Sequence, residues 1–187
     1  MAMPATQIRR GMVIVFEGQP CRVLEFRHHT PGNLRAMIQT KLKNLRNGNS
    51  FEHRFRAADT IERASMETHE LEFMYQGGET WHFMNTVNFD QLEMDEEMLG
   101  DNAQWMQAGM KILAEYYDGR PIGIELPQFL VLEVVDTAPV MKTATKTAST
   151  KPAKLDNGVM INVPEFVATG EKVRVNPNTG EYMDRAK

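Results

Sequence analysis

Short alternating runs dominate this chain, and no stretch carries a long helical period. Residues 12–16 and 21–26 are apolar-rich runs flanking Glu17-Gly18-Gln19-Pro20, a turn-forming tetrapeptide. A run over 36–42 follows, and over 50–55 the residues Phe51, His53 and Phe55 fall on one face by the period of two. A second series begins near His69. Glu70 and Glu72 alternate with Leu71 and Phe73, and Gly77-Gly78 separates them from 80–84 as a hairpin signal. Further strands are expected over 89–94, 111–117, 121–126 and 129–135, and a short helix over 101–106 capped by Asp101 or Asn102. The Thr/Ala/Lys stretch 143–150 has no large apolar residue and is expected to be a mobile loop, with strands resuming from Gly158. Many short strands at regular turn spacing predict a mainly β protein made of small barrels, SH3-like or OB in type.

Composition narrows the class. With 187 residues, 42% hydrophobic and 25% charged, the balance is that of a globular protein, which excludes a disordered chain, collagen or a coiled-coil rod. Cys21 is the single cysteine, so an internal disulfide scaffold is excluded too. No apolar run approaches 18 residues and residues 1–11 lack the apolar core of a signal peptide, so a soluble, cytoplasmic protein with no membrane partner is expected.

Charge changes the picture further. Residues 1–64 hold 11 Lys and Arg against 5 Asp and Glu, residues 65–127 hold 2 against 13, and residues 128–187 hold 8 against 7. The nets of +6, −11 and +1 make one end basic and the middle strongly acidic, although the whole chain is only −4. Such asymmetry points to an oriented encounter with a polyanion.

Enzyme chemistry finds no support. There is no Walker loop, no G-x-G-x-x-G after a strand, no G-x-S-x-G and no H-E-x-x-H. His28 and His29 are adjacent and point to opposite faces of a strand, a poor chelating pair, and one thiol cannot make a structural zinc site. Cys21, Trp81, Phe83 and Trp105 read as core, and Asp95-Glu96-Glu97 as a solvated charge run. No metal and no cofactor is expected, and no catalytic residue is assigned.

The sharpest local feature is Thr30-Pro31-Gly32-Asn33-Leu34-Arg35. Pro31 presets φ for the second position of a type II turn, and Gly32 supplies the positive φ needed at the third. The runs on either side pair as antiparallel strands, which puts Asn33, Leu34 and Arg35 at the tip of a hairpin. Its arms carry Arg22, Arg27, Lys41 and Lys43, cations suited to RNA phosphates.

From Ile8 to the C-terminus the chain resembles bacterial elongation factor P. The residues that carry the resemblance are Gly11-Met12-Val13-Ile14, Val23-Leu24-Glu25-Phe26 and Thr30-Pro31-Gly32, then the twenty-residue stretch from Lys151-Pro152-Ala153 through Val163-Pro164 to Gly170, and Thr179-Gly180-Glu181-Tyr182 with Arg185. The resemblance implies three domains, an SH3-like (KOW) barrel over 1–64 followed by two OB-folds over 65–127 and 128–187, in an L-shaped array that mimics transfer RNA. It implies a monomeric translation factor, not an enzyme, that binds the 70S ribosome beside the peptidyl-site transfer RNA. There it stimulates peptide-bond formation and relieves stalling at consecutive prolines. Pro31, Gly32, Asn33, Leu34 and Arg35 then form the tip loop at the acceptor end, and Tyr182 and Arg185 contact RNA by stacking and phosphate pairing.

Two contact loops depart from the family pattern. The tip position, normally a modified lysine or arginine, is Asn33, which offers no amine or guanidinium; Arg35 is the nearest cation and takes over part of that role. A second loop, which approaches messenger RNA at the exit site, has Lys142 followed by Thr143 and Ala144 where the family has Gly-Asp. These departures keep a second reading open, an OB-fold RNA-binding paralogue that has lost peptide-bond stimulation.

Overall fold

The computed structural model describes residues 1–140 and 149–187. The fold is mainly β, with sixteen strands in barrel-like sheets among the described residues. The first sheet holds β1 (Ala2–Pro4), β2 (Val13–Phe16), β3 (Gln19–His29), β4 (Met37–Asn44), β5 (Ser50–Arg56) and β6 (Thr60–Arg63), in the spatial order β1-β6-β2-β3-β4-β5. The second holds β7 (Met66–Gly77), β8 (Thr80–Asn85), β9 (Gln91–Asp95), β10 (Lys111–Tyr117) and β11 (Arg120–Glu125), in the order β11-β10-β7-β8-β9. The third holds β12 (Leu130–Thr137), β13 (Thr150–Leu155), β14 (Met160–Pro164), β15 (Lys172–Asn176) and β16 (Glu181–Arg185), in the order β14-β13-β12-β15-β16.

By compactness the chain divides into two units, Met1–His69 with Ala114–Gly123, and Glu70–Leu113 with Ile124–Lys187. The first unit buries Ala5, Ile8, Ile14, Cys21, Val23, Ile38, Leu42 and Ile61, with Phe55 nearly as enclosed. Phe51, His53 and Phe55 do share a face, and Phe16 meets all three rings at centroid distances of 5.3, 4.6 and 6.1 Å. The β2–β3 turn is tighter than the four-residue signal suggests. Glu17 and Gly18 both adopt positive φ (49° and 74°), the pattern of a two-residue type I′ turn, and β3 starts at Gln19.

In the second unit Leu71, Phe73, Trp81, Phe83 and Trp105 are buried, with Phe73 and Phe83 at 5.4 Å. Two local expectations are corrected here. The hairpin turn is Gly78-Glu79, because Gly77 pairs with Thr80 inside the ladder. The helix expected over 101–106 is present as a 3-10 helix over Gly100–Trp105, with Leu99 rather than Asp101 or Asn102 at its cap, and an α-helical turn, α1 (Glu96–Leu99), precedes it. The acidic run is the start signal of α1: the Asp95 carboxylate accepts from the Met98 N–H at 2.9 Å, and Glu96 and Glu97 face the positive end of the peptide dipoles.

A third correction concerns β13, which begins well before Gly158. Lys151, Ala153 and Leu155 point inward, and Lys151 is 4% exposed with its Nζ donating to the Ala138 carbonyl. A lysine at an inward position and a proline within the run disguise this strand as loop.

Candidate functional site

The functional surface expected from the sequence is the outer face of β3, β4 and β5, and a bulge makes it possible. Arg22 and Arg27 are five residues apart, so strict alternation would send them to opposite faces. The β3–β4 register shifts between Val23 and Glu25, which leaves Leu24 as the extra residue. Beyond that shift the odd-numbered residues of β3 turn outward, and Arg27 joins Arg22.

Cross-strand pairing then lays out four outward rows. From the base they are Arg22–Lys43–Ser50, Glu25–Lys41–Glu52, Arg27–Gln39–Arg54 and His29–Met37–Arg56. Burial agrees: Arg27, Lys41, Lys43, Arg54 and Arg56 are exposed, while Val23, Ile38, Thr40 and Leu42 on the opposite face are buried. All four predicted phosphate-binding residues therefore share one surface. Arg54 and Arg56 were missed, since only the β4–β5 register brings them there. Their alternation with Phe55 and His53 was the available signal.

The tip loop spans the seven residues between His29 and Met37, which pair at the end of the ladder. Its turn differs from expectation by one residue. Leu34 N–H donates to the Pro31 carbonyl at 2.8 Å, so Gly32 and Asn33 are the central pair, and Gly32 takes φ 48° as the second residue of the turn rather than the third. The positive φ is where glycine was needed, and Pro31 serves as the entry residue instead of a central one. Gly32, Asn33, Leu34 and Arg35 are all exposed, Leu34 at 68%.

The cations are not electrically alike. The Arg22 guanidinium is ion-paired with Glu115, both side chains being about one-third exposed. Arg46 lies over the Tyr117 ring at 5.8 Å, on the same compact unit. Lys41 has a glutamate directly across from it on each side. No carboxylate lies within ion-pair distance of Arg27, Arg35, Lys41, Lys43, Arg54 or Arg56 among the described residues.

At the C-terminus, Tyr182 and Arg185 line one shallow groove with Phe166, Arg174 and Asp184. Arg185 is engaged within the protein: it sits over the Phe166 ring at 4.6 Å, donates to the Phe166 carbonyl at 3.0 Å and lies 3.2 Å from Glu171. Burial, with the charges of Asp184 and Glu171, pushes the Tyr182 phenol up despite Arg185, so it stays a neutral donor. Arg174 is raised first by its hydrogen bonds to Asp184 and remains fully protonated. Lys142, Thr143 and Ala144 lie outside the described residues.

Comparison with known proteins agrees with this architecture. Three family models match in succession: an elongation factor P KOW-like domain over residues 4–61, an elongation factor P OB domain over 66–124, and an elongation factor P C-terminal domain over 130–185. The chain is 76% identical to elongation factor P of Gemmatimonas aurantiaca over 187 residues, covering 100% of both chains. It is 47% identical to elongation factor P of Acidobacterium capsulatum over 186 residues, again 100% of both. Among solved structures, eukaryotic translation initiation factor 5A from Methanococcus jannaschii superposes with a TM-score of 0.56 at 14% identity, over 67% of this chain and 94% of that one, a likeness of fold. A SH3-like first barrel and OB modules are thus the fold, and the chain belongs to the elongation factor P family.

Proposed function

We propose that this translation elongation factor binds the 70S ribosome beside the peptidyl-site transfer RNA and stimulates peptide-bond formation at consecutive prolines. The observation that carries the reading is the tip loop. Five residues, Pro31 to Arg35, stand at the end of a hairpin whose outer face is lined with cations along one side. Arg22, Arg27, Lys41 and Lys43 are its phosphate-binding residues, and the loop reaches the acceptor end. Such a loop supplies no proton and no nucleophile; it works by position. Ordering a prolyl acceptor end whose ring restricts attack recovers part of the roughly 7–11 kcal/mol that orientation is worth.

Asn33 offers an uncharged amide at the tip, with Arg35 two residues on as the cation. Domains 1–64, 65–127 and 128–187 act as successive modules of a cytoplasmic monomer, a division supported by the spans of the three family models. Tyr182 and Arg185 provide a further RNA contact, in which Arg185 exchanges Glu171 for a phosphate. Messenger RNA at the exit site is approached by Lys142, Thr143 and Ala144.

The test is the rate of tri-proline peptide synthesis on purified ribosomes. Unmodified recombinant protein is expected to accelerate it, and Arg35→Ala to remove most of that gain. If protein purified from its native source also fails to accelerate, the chain is an RNA-binding paralogue without peptide-bond stimulation and the proposal falls.

A further inference from the structure

The outer face of the first barrel carries its cations in rows, and Arg27, Arg54 and Arg56 lie in the two rows nearest the tip loop. At the base, Arg22 is held by Glu115, and Lys41 is flanked across the ladder by Glu25 and Glu52. Opposite charges directly across a ladder compensate one another. Toward the tip, the rows Arg27–Gln39–Arg54 and His29–Met37–Arg56 contain no carboxylate. Asp59 is the acidic group beside Arg56, and it accepts from the Arg56 backbone N–H at 2.8 Å rather than from the guanidinium. Glu25 and Glu52 adjoin Arg27 and Arg54 only along the strand, one row away.

We propose that Arg27, Arg54 and Arg56 form the principal phosphate-binding cluster of this chain, with Arg54 and Arg56 contributing as much as Arg27. The inference rests on the reading of this face as RNA-binding, and it names which residues do the binding. Strand spacing sets Arg27 and Arg54 two strands apart, about 10 Å, and Arg54 and Arg56 two residues apart along β5, about 7 Å. Three long guanidinium side chains rooted at those spacings cover neighbouring phosphates of one RNA strand and hold it in line with the tip loop. With only neutral Gln39 between Arg27 and Arg54, like charges face each other across the sheet, an arrangement relieved by an anion bound over it. Arginine suits the task because its planar fork grips phosphate oxygens in pairs.

The experiment measures binding of the full-length protein to a synthetic RNA hairpin with a single-stranded 3′ end, over a series of salt concentrations. Arg54→Gln and Arg56→Gln are each expected to lower the slope of log K against log salt by about one. Arg54→Lys and Arg56→Lys should restore it, while Lys154→Gln, an exposed lysine on β13, leaves it at the wild-type value. Thermal unfolding of each variant separates lost binding from lost fold. Unchanged slopes in Arg54→Gln and Arg56→Gln, an equal drop in Lys154→Gln, or salt-independent binding by the wild type would each overturn the proposal. The tri-proline assay is a separate readout. Protein from its native source whose RNA slope depends on Arg54 and Arg56 but which does not accelerate synthesis would sink the functional reading and leave this cluster standing.

Discussion

Cys21 shows how far one buried side chain controls chemistry in this protein. It is 1% exposed in β3, pairs with Ile14 and Asn44, and packs in the first core. Burial pushes its thiol up, and the negative charge of Glu17 adds to the effect. The consequence for stability has a definite sign. Below the ordinary thiol range both folded and unfolded chains carry the neutral thiol, and no pH dependence arises from it. As pH rises through that range the unfolded chain ionises first, so the native state loses stability. Denaturant titrations across alkaline pH should show this decline, and Cys21→Ala should remove the part that begins in the thiol range, leaving the later decline from the raised Tyr116 and Tyr182 phenols, while lowering stability at neutral pH through the lost packing. The native thiol is likewise expected to resist alkylation until the barrel unfolds.

At the scale of elements, the decisive device is the bulge at Leu24, which turns two halves of β3 to a common outer face. The alternation of apolar and polar residues made β2 to β5 legible in the sequence, and the Pro31-Gly32 signal located the hairpin end. The bulge was not legible, because one inserted residue leaves no compositional mark. Nor was the partnership of Arg54 and Arg56 with Arg27, which depends on register across three strands. The turn at the tip was legible as a glycine requirement but not in its frame. Pro31 fits both an entry and a central position, and the Leu34–Pro31 hydrogen bond selects the former. The Arg22–Glu115 pair is the element-scale contact that no local pattern could suggest, joining β3 to β10 across 93 residues of sequence. With both side chains about one-third exposed, Glu115→Gln should cost less than about 1 kcal/mol of stability. Releasing Arg22 should at the same time tighten RNA binding and steepen its salt dependence, by up to about one unit of slope. Unaltered binding by this variant would mean that Arg22 does not reach phosphate at all.

Across the whole molecule, the segmental nets of +6, −11 and +1 are a property of sequence that the fold retains in part, since six of the eleven basic residues of the first segment are gathered on one face. Charge sorted in this way orients an encounter before contact is made, and its influence fades as salt shortens the Debye length. The second unit was the less legible half, and β13 shows why: a strand whose inward positions include a lysine violates the binary pattern by which strands are recognised. That same lysine has a use as a clock. An amine enclosed to 4% exposure and hydrogen-bonded to Ala138 is hidden from acylating reagents, whereas Lys41, Lys43 and Lys172 stand in solvent. Labelling followed by peptide mass mapping should therefore find the exposed lysines modified at once and Lys151 only as fast as its strand opens. The delay between the two reads out the local opening free energy of the third sheet in the intact, working factor.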